Sequence, residues 1–243
     1  MVDFQFKNRY SLDDLLKIME ILRSKDGCPW DAVQTHSSIK ADIIEEAYEA
    51  YEAIVLDNDE MLKEELGDLL LQVVFHSRIE QEKGGFDFSD VANDICQKLI
   101  VRHPHVFGDL KVSGADDVLK NWDRIKKETK EQKTYADTLK AVPKVFPALL
   151  RAEKLGKRAS RASVQESEEI CINAVLNACN DLSNANEGII GAVLFYTANL
   201  ARLQGIKPED ALHSFNERFI QKFVDAENNN ELGGKNLYTL SID

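Results

Sequence analysis

Two pairs of acidic residues stand out by their spacing. Glu46 and Glu49 lie three apart in Glu45-Glu46-Ala47-Tyr48-Glu49, and Glu65 and Asp68 lie three apart in Glu64-Glu65-Leu66-Gly67-Asp68. Each pair sits inside a stretch of helical period. Ile43, Ala47, Ala50 and Ile54 recur as one apolar stripe, and Leu62, Leu66, Leu69 and Val73 as another. At about 100° per residue, the first acid of each pair lies roughly 70° from the middle of its stripe and the second roughly 130° from it. Both helices therefore carry matched acids on the same flank of the face expected to be buried. A turn at Asp57-Asn58-Asp59, with Asp59 as the expected N-cap, joins them, and helices joined so tightly pack antiparallel. Four carboxylates then converge on one seam, where they repel one another unless cations intervene. Mg2+, with Mn2+ as the alternative, is the expected partner, because hard divalent ions take oxygen ligands and keep exchangeable waters for a substrate to replace.

A solvated acidic face is the competing reading, and Glu45, Glu52, Glu60 and Glu64 fit it in part. Asp68 fits it poorly. It lies in the stretch from Glu65 to Phe75, apolar on nearly all sides. There Gly67 and Asp68 each cost about 0.5–1 kcal/mol relative to alanine in a helix interior. A local rule broken twice at one spot points to function. Further on, Lys98 and Arg102 share a helix face ahead of His103-Pro104-His105 and could grip phosphate oxygens. An exposed basic helix edge is the plain alternative. Trp122 could stack on a base or anchor packing. No Gly-rich phosphate loop, Ser-His-Asp arrangement or nucleophilic cysteine context is present in the sequence.

The elements that must position these residues are all helical by period: 11–24, 37–57, 59–83, 88–102, 115–131, 147–160, 165–182, 186–204 and 208–228, with no strand-like alternation. The fold class expected is all-α. The 243 residues suffice for one large domain or two small ones. A net charge of −12 argues against binding bulk nucleic acid or an anionic membrane. It leaves room for a phosphate-rich substrate bridged by cations. No apolar run approaches the roughly 18–20 residues of a membrane span, and the first residues lack the layout of a secretory signal. The four cysteines, Cys28, Cys96, Cys171 and Cys179, form no Cys-x-x-Cys pair, so a reducing cytoplasm is expected.

The chain also repeats itself. From Gly85 and from Gly205 two segments run in register without a gap, Asp90 against Asp210, Ile95 against Phe215, Lys98 against Arg218 and Arg102 against Lys222. After a four-residue shortening of the preceding turn, Arg78 meets Arg202 and Gly67 meets Gly191. A duplicated helical unit accounts for this. The second copy has Ile189-Ile190-Gly191-Ala192 where the first has Glu65-Leu66-Gly67-Asp68, and no acid between 170 and 180. Without oxygen ligands it is expected to be silent, serving packing, dimerisation or regulation.

Taken together, Cys28-Pro29-Trp30-Asp31 with Gln34-Thr35, Glu45-Glu46-x-x-Glu49, Glu65-Leu66-Gly67-Asp68 and Arg102-His103-Pro104-His105-Val106-Phe107 resemble the MazG nucleoside triphosphate pyrophosphohydrolases. The likeness covers about 10–132 and, more faintly, 142–228. It implies an all-α helical bundle with two tandem units, expected at 1–135 and 136–230, followed by a flexible tail at 231–243. It implies Mg2+-dependent hydrolysis of nucleoside triphosphates to monophosphate and pyrophosphate, as in nucleotide-pool house-cleaning, by a homodimer. Carried over by motif, Glu46, Glu49, Glu65 and Asp68 hold metal, with Glu45 and Glu64 as secondary acids. Lys98 and Arg102 contact phosphates, and Trp122 lies by the nucleoside. Glu45 or Glu49 would take the proton of the attacking water. The alternative is a helical nucleotide-sensing or protein-interaction module that binds the metal–nucleotide complex with little turnover.

Overall fold

Where the sequence offers an Asx or Ser/Thr cap ahead of a periodic stretch, a helix starts. Ser11 and Asp14 form a reciprocal capping box on the first helix of the computed structural model, and Asp87 and Asp90 form another on the fifth. The structure describes residues 4–114, 117, 118, 121, 122, 125, 134–162, 164–229 and 231–233. It divides into two compact units, Met1–Lys126 and Lys127–Asp243. The first holds α1 (Leu12–Leu22), α2 (Pro29–Val33), α3 (Asp42–Val55), α4 (Asp59–Glu82), α5 (Phe88–Arg102) and α6 (Pro104–Phe107). The second holds α7 (Tyr135–Lys140), α8 (Ala148–Ala159), α9 (Glu168–Asn180), α10 (Glu187–Leu203) and α11 (Pro208–Asn228), with short 3-10 turns after α8 and α9. Every regular element among the described residues is helical, as expected. The helix expected at 115–131 and the tail at 231–243 lie largely outside the described residues.

In the first unit, Met19, Ile39, Val74, Phe75 and Ile79 form the core, with Leu15, Leu16, Leu71 and Phe88 packed against it. Helix α4 is thus the spine, touched by α1, α3 and α5. Arg23, at the end of α1, pins the segment that follows. Its guanidinium pairs with Glu82 on α4 at 2.7 Å, donates to the backbone oxygens of Asp31 and Gln34, and lies over the Phe75 ring. Burial alone would raise the Glu82 carboxyl, but the bonds and charges of Arg23 and Arg78 outweigh it and hold Glu82 below its ordinary range.

Three local expectations need correction. The helix expected at 37–57 starts only at Asp42, because Thr35 and Ser38 close a hydrogen-bonded turn on themselves, and such side chains compete with the helix for backbone partners. The N-cap of α4 is Asn58, whose side chain accepts from the Met61 amide at 3.2 Å, and not Asp59. The faces are also turned. On α3 the buried residues are Ala50 and Ala53, while Ile43 and Ala47 are exposed and Ile54 is 61% exposed; on α4, Leu66 is 51% exposed. The buried side of α3 is rotated by roughly 60° toward the acids. Small residues won the interior because α3 packs closely along α4, leaving the bulky aliphatics outside.

The second unit buries polar side chains beside Val142, Ala152, Ala198 and Ala226. Asn199 is buried and donates to the Phe195 oxygen, and its side chain occupies the space a Cβ at position 156 would need, so only glycine fits there. Glu153, also buried, is held by Lys207 and Lys154, whose pull overcomes the upward effect of its burial and keeps it charged. In both units a glycine with positive φ, Gly84 at 76° and Gly205 at 74°, ends a long helix just before the next begins.

Ala53 is fully buried at the α3–α4 contact. Overpacking it with Ala53→Leu is expected to cost roughly 1–3 kcal/mol of stability, read as a lower urea midpoint at unchanged m-value.

Candidate metal centre

Turning α3 inward carries its acids into the α3–α4 seam. Glu46, Glu49 and Glu65 each offer a carboxylate oxygen within 4.8 Å of the others'. Among the described residues this is the one group of three or more such donors so close together. Asp68, partly buried on α4, is near enough to raise the pKa of both Glu46 and Glu65. Burial is the largest cause of the upward shift at Glu46, followed by the charges of Asp68, Glu49 and Glu45. Burial is also the largest at Glu65, followed by Glu49, Glu64, Asp68 and Glu46. Glu45 and Glu64 are exposed and act on the site through their charge.

Gln72, which the sequence reading passed over, belongs here. It is one helical turn beyond Asp68, buried, and hydrogen-bonds the Glu46 carboxylate, partly offsetting the push on it. Its Oε1 is buried without a hydrogen-bond partner. The signal was available: a lone amide four residues from Asp68 in an otherwise apolar run. Converging carboxylates that hold their protons too tightly, beside an acceptor with no donor, form an oxygen-only environment short of positive charge. That is the donor set a hard divalent cation fits.

Of the other residues singled out in the sequence, Arg102 and Trp122 come together, the guanidinium carbon 5.2 Å from the ring centroid. Such a contact fixes the planar group over the ring. Lys98 is exposed on α5 and enters no ion pair among the described residues. His103 bonds through Nδ1 to the Leu99 oxygen at 2.6 Å, which ends α5.

Residues 34–107 match the MazG nucleotide pyrophosphohydrolase domain, a span that contains both acid pairs, Lys98 and Arg102. Over 230 residues the chain is 40% identical to the nucleoside triphosphate pyrophosphohydrolase of Escherichia coli K12, covering 89% of this chain and 87% of that protein. The chain belongs to the MazG family. A second relative, the nucleoside triphosphate pyrophosphohydrolase/pyrophosphatase MazG of Thermotoga maritima, is 38% identical over 237 residues, 95% of this chain and 91% of its own. The uncharacterized protein YabN of Bacillus subtilis is 38% identical over 236 residues, 93% of this MazG chain but 48% of its own length.

The raised pKa values carry a sign. A carboxyl that keeps its proton more tightly when folded stabilises the fold most below its ordinary value of 4.5, and this contribution is lost as pH rises through the folded value. Neutralising one acid should therefore help the metal-free fold. Glu65→Gln is expected to raise the thermal midpoint relative to the parent, by a margin that widens from pH 4.5 to pH 7; a margin that shrinks over that range would contradict the repulsion.

Proposed function

We infer that this MazG chain hydrolyses nucleoside triphosphates to the monophosphate and pyrophosphate, with a divalent cation, Mg2+ or Mn2+, held by Glu46, Glu49, Glu65 and Asp68. The observation that carries the reading is the close approach of donor oxygens from two consecutive helices, on a chain 40% identical to a named nucleoside triphosphate pyrophosphohydrolase. Bound there, the cation supplies neutralisation of the phosphate charge and orientation of the attacking water.

The chain's own groups do the rest. Lys98 and Arg102 offset charge on the departing pyrophosphate, and the Arg102 plane is fixed for that task by Trp122. The same indole borders the nucleoside. Glu45, or Glu49 from the oxygen it does not give to the cation, accepts the proton of the water that adds across the α–β phosphoanhydride. Net acidity is no obstacle when cations stand between site and substrate.

The second unit is read as a silent copy. Ile189 and Ala192 stand where Glu65 and Asp68 stand in the first, and α9 is free of acids from Ile170 to Asn180. Its place is packing or regulation. Two copies of the chain are proposed to associate, through the first unit as well as through the second unit expected to serve dimerisation. Ile44, Tyr48, Ile54 and Val55 on α3 and Leu66 and Leu70 on α4 are large apolar side chains left exposed, the kind of surface a partner copy covers. A cysteine set with no disulfide suits the reducing cytoplasm.

With Mg2+ present, the parent chain should release pyrophosphate from nucleoside triphosphates. Glu49→Ala and Asp68→Ala should each lower the rate by a factor of about a thousand or more while leaving helicity unchanged. Turnover unaffected by either substitution would remove that residue from the chemistry.

A further inference from the structure

Outside the acid seam, two histidines form a pair that the chemistry above does not use. His36 lies in the segment leading to α3, and His76 lies on α4. Their Nδ1 atoms are 2.6 Å apart, and the other His36 nitrogen, Nε2, is 2.5 Å from Oε1 of Glu80. The ring planes are parallel within 2° with centroids 4.9 Å apart. A centroid distance almost twice the nitrogen gap is what two coplanar rings meeting edge to edge produce, so the contact is an in-plane N–H···N hydrogen bond. His76 Nε2, at the far end, is buried without a partner.

The protons of this row are fixed by its ends. Glu80 is held ionised by Lys83 and by His36, and an ionised carboxylate only accepts. His36 Nε2 therefore carries a hydrogen. When His36 is neutral its Nδ1 is an acceptor, and His76 must donate from Nδ1, leaving its buried Nε2 as a bare lone pair. One added proton on the pair keeps a donor and an acceptor face to face. A second places two N–H groups and two like charges against each other at the same contact and abolishes the bond.

We propose that His36 and His76 form a one-proton clasp that holds the segment entering α3 against α4, and so sets Glu46 and Glu49 opposite Glu65 and Asp68. Geometry supports this. Three residues past His36, Ile39 is sunk in the core, and three further on α3 begins. The charges that bear on the clasp are Asp42 at the start of α3, Glu80 on α4, and its partner Lys83 just past the end of that helix. From α1 the guanidinium of Arg23 is engaged on Glu82. Burial first, and then His36, lower the His76 pKa below its ordinary 6.5, against the pull of Asp42. A group so depressed contributes stability that is complete above 6.5 and lost as pH falls toward the folded value. The clasp, intact while the pair carries at most one added proton, is thus closed at neutral pH and opens in acid when a second is taken up. Both histidines are positioning residues, acting through the placement of Glu46 and Glu49.

The consequence for activity rests on the proposed metal site, whereas the clasp itself can be tested without it. In metal-free protein labelled with 15N at histidine, NMR should show a nitrogen–nitrogen coupling between His36 and His76 at neutral pH. The coupling should vanish in acid together with a second protonation set well below the first. Two rings titrating independently, with no coupling, would overturn the clasp. In the pyrophosphate-release assay, His76→Leu should raise the Mg2+ concentration for half-maximal rate roughly tenfold, the size of effect seen when an outer partner of a metal site is lost. His76→Asn, whose amide N–H reaches the place of Nδ1, should stay near the parent at neutral pH and decline less steeply on the acid side, where only the protonation of the site carboxylates remains. Equal loss in the Asn and Leu variants, with helicity intact in both, would also overturn the proposal. If the parent releases no pyrophosphate yet shows the coupling, the hydrolase reading fails and the clasp stands.

Discussion

Repulsion between carboxylates in the α3–α4 seam governs the rest of the first unit. Glu46, Glu49 and Glu65 crowd their oxygens within 4.8 Å, with Asp68 close behind. Such a group pushes its helices apart when nothing neutralises it. Glu45 and Glu64 add to that push, and other neighbouring features oppose it. Alanines at 50 and 53 let the backbones approach. Gln72 hydrogen-bonds one of the acids, and α4 is held from its other sides by α1, α5 and the Arg23–Glu82 pair. The fold is a brace around an electrostatically unfavourable centre, and this is the usual bargain of a binding site: local stability is given up where a ligand will restore it.

Most of this was legible in the sequence, for physical reasons. Paired acids at i and i+3 announce a shared face whatever the tertiary context, and the weak helix formers Gly67 and Asp68 mark the place where propensity yields. The helix pattern and the family likeness follow from the same local chemistry. What the sequence misplaced was the direction of burial. A stripe of Ile and Leu reads as core by transfer energy, yet Ile54 and Leu66 face outward, because close approach of α3 and α4 demands small side chains and the large ones are displaced to the flank. Periodicity finds that a face exists. It does not say which of two adjacent faces the partner helix takes.

Contacts made across long sequence separations were the other blind spot. Gln72 could have been suspected from its setting, but the His36–His76–Glu80 row joins residues forty or more apart and has no local signature. Arg23 likewise reads as an ordinary helix-end cation until its guanidinium is seen to gather Glu82, Asp31 and Gln34. The Cys28-Pro29-Trp30-Asp31 stretch, specific as a motif, turns out to be secured through a backbone oxygen that no side-chain pattern reveals.

One feature of the hairpin reaches beyond this molecule. All four acids lie between residues 46 and 68, on helices joined by a turn of three residues. Closing so short a loop forfeits little chain entropy, and contacts of low sequence separation form early on the folding pathway. The seam is therefore a self-assembling cassette: a stretch of some forty residues carries the whole constellation, so duplication copies it in one event, and a few point changes in one copy silence that copy without unsettling the other.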